Sequence, residues 1–297
     1  MTNPNSSASI NFQEEFSSKT PALTLLTTLG YQFIPPSQCH AMRSKVAANK
    51  ATNQVVLLPI MRAFLAEQTF IFEGKPYPLS ASAIDKIMHT LNPAMNLGLQ
   101  AANEALYNAM LYGVTVTEFI DGKRTAQTIS LIDWNHISNN AFHFTEEFVV
   151  QNSEGTGNVI PDIVCFVNGL PLAVIEAKRP DSNREGQSTN AQAVSQHIRN
   201  QGQKQIPHLF AYSQLLLVVN GHDGLYTMTK RVRCIWQSLQ DFAKQQDHVL
   251  PKCYVSGETQ LYLGRRYALK VLIDSENADT MSRTVNLSRG QLNVALM

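Results

Sequence analysis

The sequence predicts an α/β fold, a mixed central β-sheet flanked by helices and preceded by a mainly helical part. Three observations carry this. Apolar residues recur at helical spacing through the first third, alternate with period two from Val114 onward, and then form a hairpin at 158–180 that is apolar on both faces. That hairpin, NVIPDIVCFVNGLPLAVIEAKRP, carries charged residues at one end.

Residues 1–11, MTNPNSSASIN, are polar and read as a disordered start. Thr20 then caps a helix with Pro21 at its first position, and Leu23, Leu26 and Leu29 lead to a stop at Gly30. Residues 53–66 read as helical. Ser80 caps a further helix with Ile84, Ile87, Met88 and Leu91 in register, ended by Asn92-Pro93. A fourth helix is expected from Leu97 to Leu111, with Gly113 after it. Val114, Val116 and Phe119 form a strand that turns at Asp121-Gly122 and returns over Thr125 to Ile132. Residues 142–150 read as another strand. After the 158–180 hairpin, Asn190 caps a helix with Ala191, Val194 and Ile198 in register, and Leu215 to Val219 is a short buried strand. The pattern then weakens to a helix at 234–245 and a strand-like 261–263. The expected organisation is a helical part at 12–111, a core at 112–230 and a C-terminal extension at 231–297.

The hairpin bears the functional signal. Asp162, Val164 and Phe166 share one side of its first strand, and Leu172, Val174, Glu176 and Lys178 share one side of the second. The intervening odd-numbered residues are all apolar, which predicts a central strand pair covered on both faces. Asn168-Gly169 marks the turn. A two-residue loop alone sets Asp162 opposite Ile175, on the wrong side. A three-residue loop ending at Leu170, or a bulge, sets it opposite Glu176, and this second register is the expected one.

Two facing carboxylates repel, and a hard divalent cation such as Mg²⁺, bound through one or two carboxylates and several waters, relieves that repulsion. Lys178 projects from the same face. Phosphodiester hydrolysis needs an acidified, oriented water and positive charge near the developing oxyanion, so these residue types suit a metal-dependent nuclease. The competing account is an ordinary solvated Glu-x-Lys alternation after a Pro-Asp strand opener.

The 297 residues carry 44% hydrophobic content, enough for a large core, and a net charge of +1. That balance excludes a global polycation, so any DNA contact must be local. The four cysteines form no Cys-x-x-Cys pair, and Cys165 lies on the apolar face of the hairpin, which points to a reduced, cytoplasmic protein. No run reaches transmembrane length, so no membrane role is expected. The eight histidines form no His-Glu-x-x-His array, and neither a Gly-x-Ser-x-Gly elbow nor a Gly-x-Gly-x-x-Gly loop occurs.

From Asn135 to Asn220 the chain resembles the N-terminal endonuclease region of the restriction (R) subunit of type I restriction-modification enzymes, in the PD-(D/E)xK nuclease superfamily. The runs NNAFHFTEEFVVQN, PDIVCFVNGLPLAVIEAKRP and QAVSQHIRNQGQKQIPHLFAYSQLLLVVNG carry the likeness, and VNGLPLAVIEAK is its most specific part. The resemblance implies a restriction-endonuclease-like core and maps Asp162, Glu176 and Lys178 onto the family triad, with Asp162 and Glu176 holding Mg²⁺, or Mn²⁺ in its place. The family's Gln-xxx-Tyr element corresponds to Gln196 and, in place of tyrosine, Asn200. A metal-facing acid on the first helix corresponds to Glu14 or Glu15, although acids also favour helix starts in general. Double-stranded DNA is the implied substrate. Methylation and specificity subunits are the implied partners, with ATP and S-adenosylmethionine acting only through the rest of the assembly. The phosphate loop of the family's motor, Gly-xxxx-Gly-Lys-Ser/Thr, does not occur in this sequence, so the expected unit is a cleavage module without its motor.

Arg179 with Arg184, and Arg199 with Lys204, flank the expected site and are candidates to hold phosphates. Lys230, Arg231 and Arg233 form a third cluster that a solvated surface explains equally well. Two further functions stay open on the residues: a docking module of the restriction complex that cleaves nothing itself, and a stand-alone structure-selective nuclease.

Overall fold

A computed structural model describes residues 18–43, 52–179, 189–220, 224–229 and 237–238. In chain order the elements are α1 (Thr20–Thr28), β1 (Gln32–Phe33), α2 (Pro36–Arg43), α3 (Leu58–Ala66), β2 (Thr69–Phe72), β3 (Lys75–Pro78), α4 (Ala81–Thr90) and α5 (Leu99–Tyr112). There follow β4 (Val114–Ile120), β5 (Lys123–Ile129), β6 (Phe142–Glu146), β7 (Val150–Gln151), β8 (Asn158–Val159), β9 (Ile163–Val167) and β10 (Leu170–Ala177). The last are α6 (Thr189–Asn200), α7 (Pro207–Tyr212), β11 (Leu215–Val219), β12 (Gly224–Met228) and β13 (Gln237–Ser238).

The α/β class is observed, with a mixed central sheet of order β1-β6-β9-β10-β11-β12-β13. Its centre is the expected hairpin, and every residue of β9, β10 and β11 is buried. Each fully buried Val, Leu or Ile there contributes about 1.5–3 kcal/mol relative to exposure, which is why these strands read as unbroken apolar runs. β10 and β11 run parallel, so their connection must cross over the sheet, and α6 and α7 make that crossover. One hydrophobic core extends from Leu26 to Val219 and joins the helical first third to the sheet.

Several boundaries differ from expectation for local reasons. Lys19, not Thr20, takes the cap position of α1, with Pro21 in its first turn as expected. Residues 53–57 stay outside α3 because the Gln54 side chain accepts from the Val55 and Val56 amides, a local alternative to helical hydrogen bonds. β1 and the β2-β3 hairpin add strands to the first third, which alternation too short to register had concealed. Phe119 points outward at 70% exposed, and Glu118 takes the inward place, its Oε1 accepting from the Ser80 amide. The strand expected at 142–150 breaks at Glu147, whose φ of 48° turns the chain so that Phe148 enters the core against Phe166. β5 ends at Ile129, and the buried Leu131 and Ile132 continue as irregular chain. At 237–238 a strand pairing with β12 replaces the expected helix. The rest of that helix, residues 261–263, the N-terminal 11, and Glu14, Glu15, Arg184, Lys230, Arg231 and Arg233 lie outside the described residues.

Ser80 caps α4 as expected, its hydroxyl accepting from the Ala83 amide at 3.1 Å. Ser80→Ala is therefore expected to cost about 1 kcal/mol, read as a lower urea midpoint at unchanged slope.

Candidate active site

The hairpin turn has two residues, Asn168 and Gly169, with φ of 50° and 84°. By itself that loop would misplace Asp162. The register instead shifts between Pro171 and Ala173: Leu170 faces Val167 and Pro171 faces Phe166, but Ala173 faces Cys165 and Ile175 faces Ile163. The bulge at Leu172 thus adds one residue to β10 and carries Asp162, the next position along, across from Glu176. Of the two routes to that register, the bulge is the one used.

The carboxylates converge at this end of the sheet. Asp162 Oδ2 accepts from the Ala177 amide at 2.8 Å and lies 3.7 Å from Lys178 Nζ, which also donates to the Ala177 carbonyl at 2.9 Å. Glu176 is fully buried. Gln196 Nε2 donates to its Oε2 at 2.6 Å, while Oε1 receives no hydrogen bond among the described residues. Burial holds the Glu176 carboxyl well above the usual carboxylate range; the charge and close approach of Asp162 push it further, against the opposing pull of Lys178 and Arg199. An acidic side chain kept from ionising beside a second carboxylate is an arrangement that a cation would reverse.

The surrounding chain fixes these groups. The Lys178 amide donates to the Val219 carbonyl at 2.8 Å, which extends the β10-β11 ladder past the strand end. Ser18, buried ahead of α1, donates its hydroxyl to the Lys178 carbonyl at 2.6 Å. Lys19 beside it reaches Glu146 at 2.8 Å and Glu147 at 3.0 Å, and the Glu147 amide donates to the Asp162 carbonyl. Burial lowers the Lys19 pKa, but hydrogen bonds and charge from Glu146 and Glu147 outweigh it and the net shift is upward. Neither Ser18 nor Lys19 was picked out from the sequence, since no motif marks a residue that acts through a backbone carbonyl.

The helix α6 reverses the expected facing. Ala193, His197 and Asn200 are its buried residues, and Ile198 is 56% exposed. Asn190 falls inside its first turn. The polar side turns inward because Gln196 meets Glu176 and His197 Nε2 meets the Leu217 carbonyl at 2.9 Å. Asn200 is buried, and among the described residues neither of its amide atoms has a hydrogen-bond partner. Arg179 and Arg199 are exposed, and Lys204 pairs with Glu154 at 3.0 Å.

Burial pulls the His197 pKa down to about 4, against the Leu217 hydrogen bond that raises it. A depressed histidine contributes stability above its ordinary value of 6.5 that is lost as pH falls through about 4. His197→Gln keeps a donor for Leu217 without titrating, and is expected to flatten the acid limb of thermal stability between those values by roughly 3 kcal/mol. An acid limb identical to wild type would show that His197 carries none of it.

The family model for the type I restriction enzyme R protein N terminus matches residues 11–232. The chain belongs to this family. A putative type I restriction enzyme endonuclease subunit, MjaIXP, of Methanocaldococcus jannaschii is 30% identical over 142 residues, 48% of this chain and 13% of that protein. The HindI type I restriction enzyme endonuclease subunit of Haemophilus influenzae is 32% identical over 143 residues, again 48% and 13%. The chain therefore aligns with a small part of each of these relatives. Among the described residues, no helix is long and apolar enough to cross a membrane.

Two carboxylates and no third acidic, histidine or cysteine ligand meet at the site; among the described residues no group of three or more such side chains is placed to hold a metal. The donor set is nonetheless all oxygen, and the buried, unpaired Glu176 Oε1 is an acceptor in want of a cation. That fits Mg²⁺, which keeps several waters and takes one or two carboxylates.

Proposed function

We propose that this R-protein N-terminal region is a metal-dependent DNA endonuclease module with a restriction-endonuclease-like core, acting in the restriction of foreign DNA. The observation that carries the reading is the bulge at Leu172, which sets Asp162 across from Glu176 with Lys178 Nζ 3.7 Å from Asp162. Asp162 and Glu176 would hold Mg²⁺, or Mn²⁺ in its place, which when bound supplies an acidified water and charge neutralisation at the phosphate. Lys178 presents an ammonium beside the carboxylates, suited to orienting water or stabilising the developing oxyanion. Gln196 fixes the rotamer of Glu176 through its 2.6 Å hydrogen bond. Recognition subunits, a methylation subunit with S-adenosylmethionine, and an ATP-driven motor belong to the proposed assembly, not to residues described above.

Supercoiled plasmid incubated with the protein and Mg²⁺ or Mn²⁺ should be nicked by wild type and left intact by Asp162→Ala and Lys178→Ala. Equal cutting by wild type and both variants would remove the assignment. Gln196→Ala is expected to lower cleavage by about 10- to 100-fold, the usual cost of losing a group that orients a metal ligand, with single-turnover rates as the readout.

A further inference from the structure

A cavity of about 320 Å³ opens between α2 and the end of β6. Ser37, His40 and Arg43 line it from α2, Thr145 and Glu147 from the β6 end, and Asn158 from β8. Arg43 is 3% exposed and donates to three carbonyls: Cys39 at 3.4 Å, Gln54 at 3.0 Å and Val149 at 2.9 Å. Its guanidinium lies 4.0 Å from the centre of the Phe148 ring. Carbonyl dipoles and an aromatic face solvate a cation without cancelling its charge, and among the described residues no carboxylate pairs with it.

Nearby groups do not supply the missing charge. Burial pushes the Cys39 thiol up to about 11 although Arg43 pulls it the other way, so it stays neutral. Glu147, the carboxylate in the lining, is held by Lys19. A guanidinium has five N–H groups, so two of them remain beyond the three bonds to carbonyls. His40 is 8% exposed, and among the described residues its Nε2 has no hydrogen-bond partner. A buried cation with spare donors beside an unsatisfied imidazole and the Ser37 hydroxyl is suited to an oxyanion.

The position of the cavity indicates which oxyanion. Thr145 faces Val164 across the sheet and Val164 faces Val174, which puts Thr145 on the same face as Asp162 and Glu176. The Glu147 amide bonds the Asp162 carbonyl at 2.8 Å, so the cavity lies one strand away from Asp162 and two from Glu176, at the same end of the sheet. With strands about 4.8 Å apart, that separation is on the order of 5–10 Å. Successive phosphates of one DNA strand advance about 3.4 Å along the helix axis, so a phosphate a few positions from the cut falls at this distance. We propose that the cavity binds a backbone phosphate of the DNA strand held at Asp162 and Glu176, with Arg43 as its counter-charge. The proposal rests on the nuclease reading.

Binding of a short labelled duplex, followed by fluorescence anisotropy in EDTA over a series of KCl concentrations, tests it. Asn158→Asp places a negative charge at the exposed rim, where the fold tolerates it, and is expected to weaken binding about tenfold, while Arg43→Gln lowers the slope of log K against log salt by about one. Wild-type affinity and slope in folded Asn158→Asp protein would overturn the proposal, whatever the stability of Arg43→Gln. Inorganic phosphate that raises the melting temperature of wild type but not of Asn158→Asp, with duplex binding equal in the two, would assign the cavity to free phosphate and equally overturn it. Because metal is absent, failure of wild type to nick plasmid leaves this test standing, and normal nicking with unaltered binding removes the cavity alone.

Discussion

Glu176→Gln is expected to abolish measurable cleavage and, in the absence of metal, to make the protein more stable. Both effects have one origin. Glu176 is fully buried, and burial together with Asp162 raises its pKa well above the ordinary carboxylate value. A carboxyl whose folded pKa is raised contributes its full stability below the unfolded value of 4.5, and that contribution is lost as pH rises through the folded value. Above pH 4.5, metal-free wild type therefore bears either a buried repelled charge or the cost of holding a proton. Glutamine has the same shape, accepts the hydrogen bond from Gln196 through its amide oxygen and never ionises.

The melting temperature of wild type in EDTA should consequently fall more steeply than that of Glu176→Gln as pH rises above 4.5. Mg²⁺ should reverse the ranking, because it binds the ionised form and stabilises the folded state by mass action. The variant should show little Mg²⁺-dependent shift, and its cleavage should fall by more than about 100-fold, since loss of even an outer partner of a metal ligand costs 10- to 100-fold. Identical pH slopes and identical Mg²⁺ shifts in the two proteins would exclude Glu176 as a ligand. An Mg²⁺ shift in wild type without nicking would instead mean that cleavage awaits the rest of the assembly.

The contrast between hairpin and helix shows what the sequence could reveal. Asp162, Glu176 and Lys178 were legible because strands have period two, so one bulge fixes which side chains meet. The central strands β9, β10 and β11 were legible because both faces are covered and leave an unbroken apolar run. The facing of α6 was not: its apolar Ala191, Val194 and Ile198 suggested one buried stripe, whereas His197 and Asn200 are buried and Ile198 is exposed. Local pattern fails there because tertiary partners, Glu176 for Gln196 and the Leu217 carbonyl for His197, draw the polar side inward. Gln196 came only through family likeness. Ser18 and Arg43 act through backbone carbonyls far along the chain, at Lys178 and Val149, and no spacing within a sequence encodes such partners.

Gly169→Ala should cause a large loss of stability, and should damage the site from its far end. Gly169 has φ of 84°, a left-handed conformation costing an alanine about 1–2 kcal/mol. The added Cβ would also lie 2.6 Å from the Leu57 carbonyl oxygen and 3.2 Å from the Met61 amide nitrogen, backbone atoms that no rotamer change can move. The Leu57 amide donates to the Gly169 carbonyl at 2.9 Å, so the start of α3 is fastened to the turn that would have to shift. Strain and overpacking together are expected to cost about 3 kcal/mol or more, seen as a lower urea midpoint and melting temperature. The hairpin's register is set partly by this turn, so a turn that yields to the new Cβ shifts Asp162 relative to Glu176. Cleavage by the folded fraction should then fall together with the Mg²⁺-induced thermal shift. Wild-type stability in Gly169→Ala would show that α3 does not hold the turn, and unchanged cleavage by destabilised protein would show that the bulge at Leu172 alone sets the register.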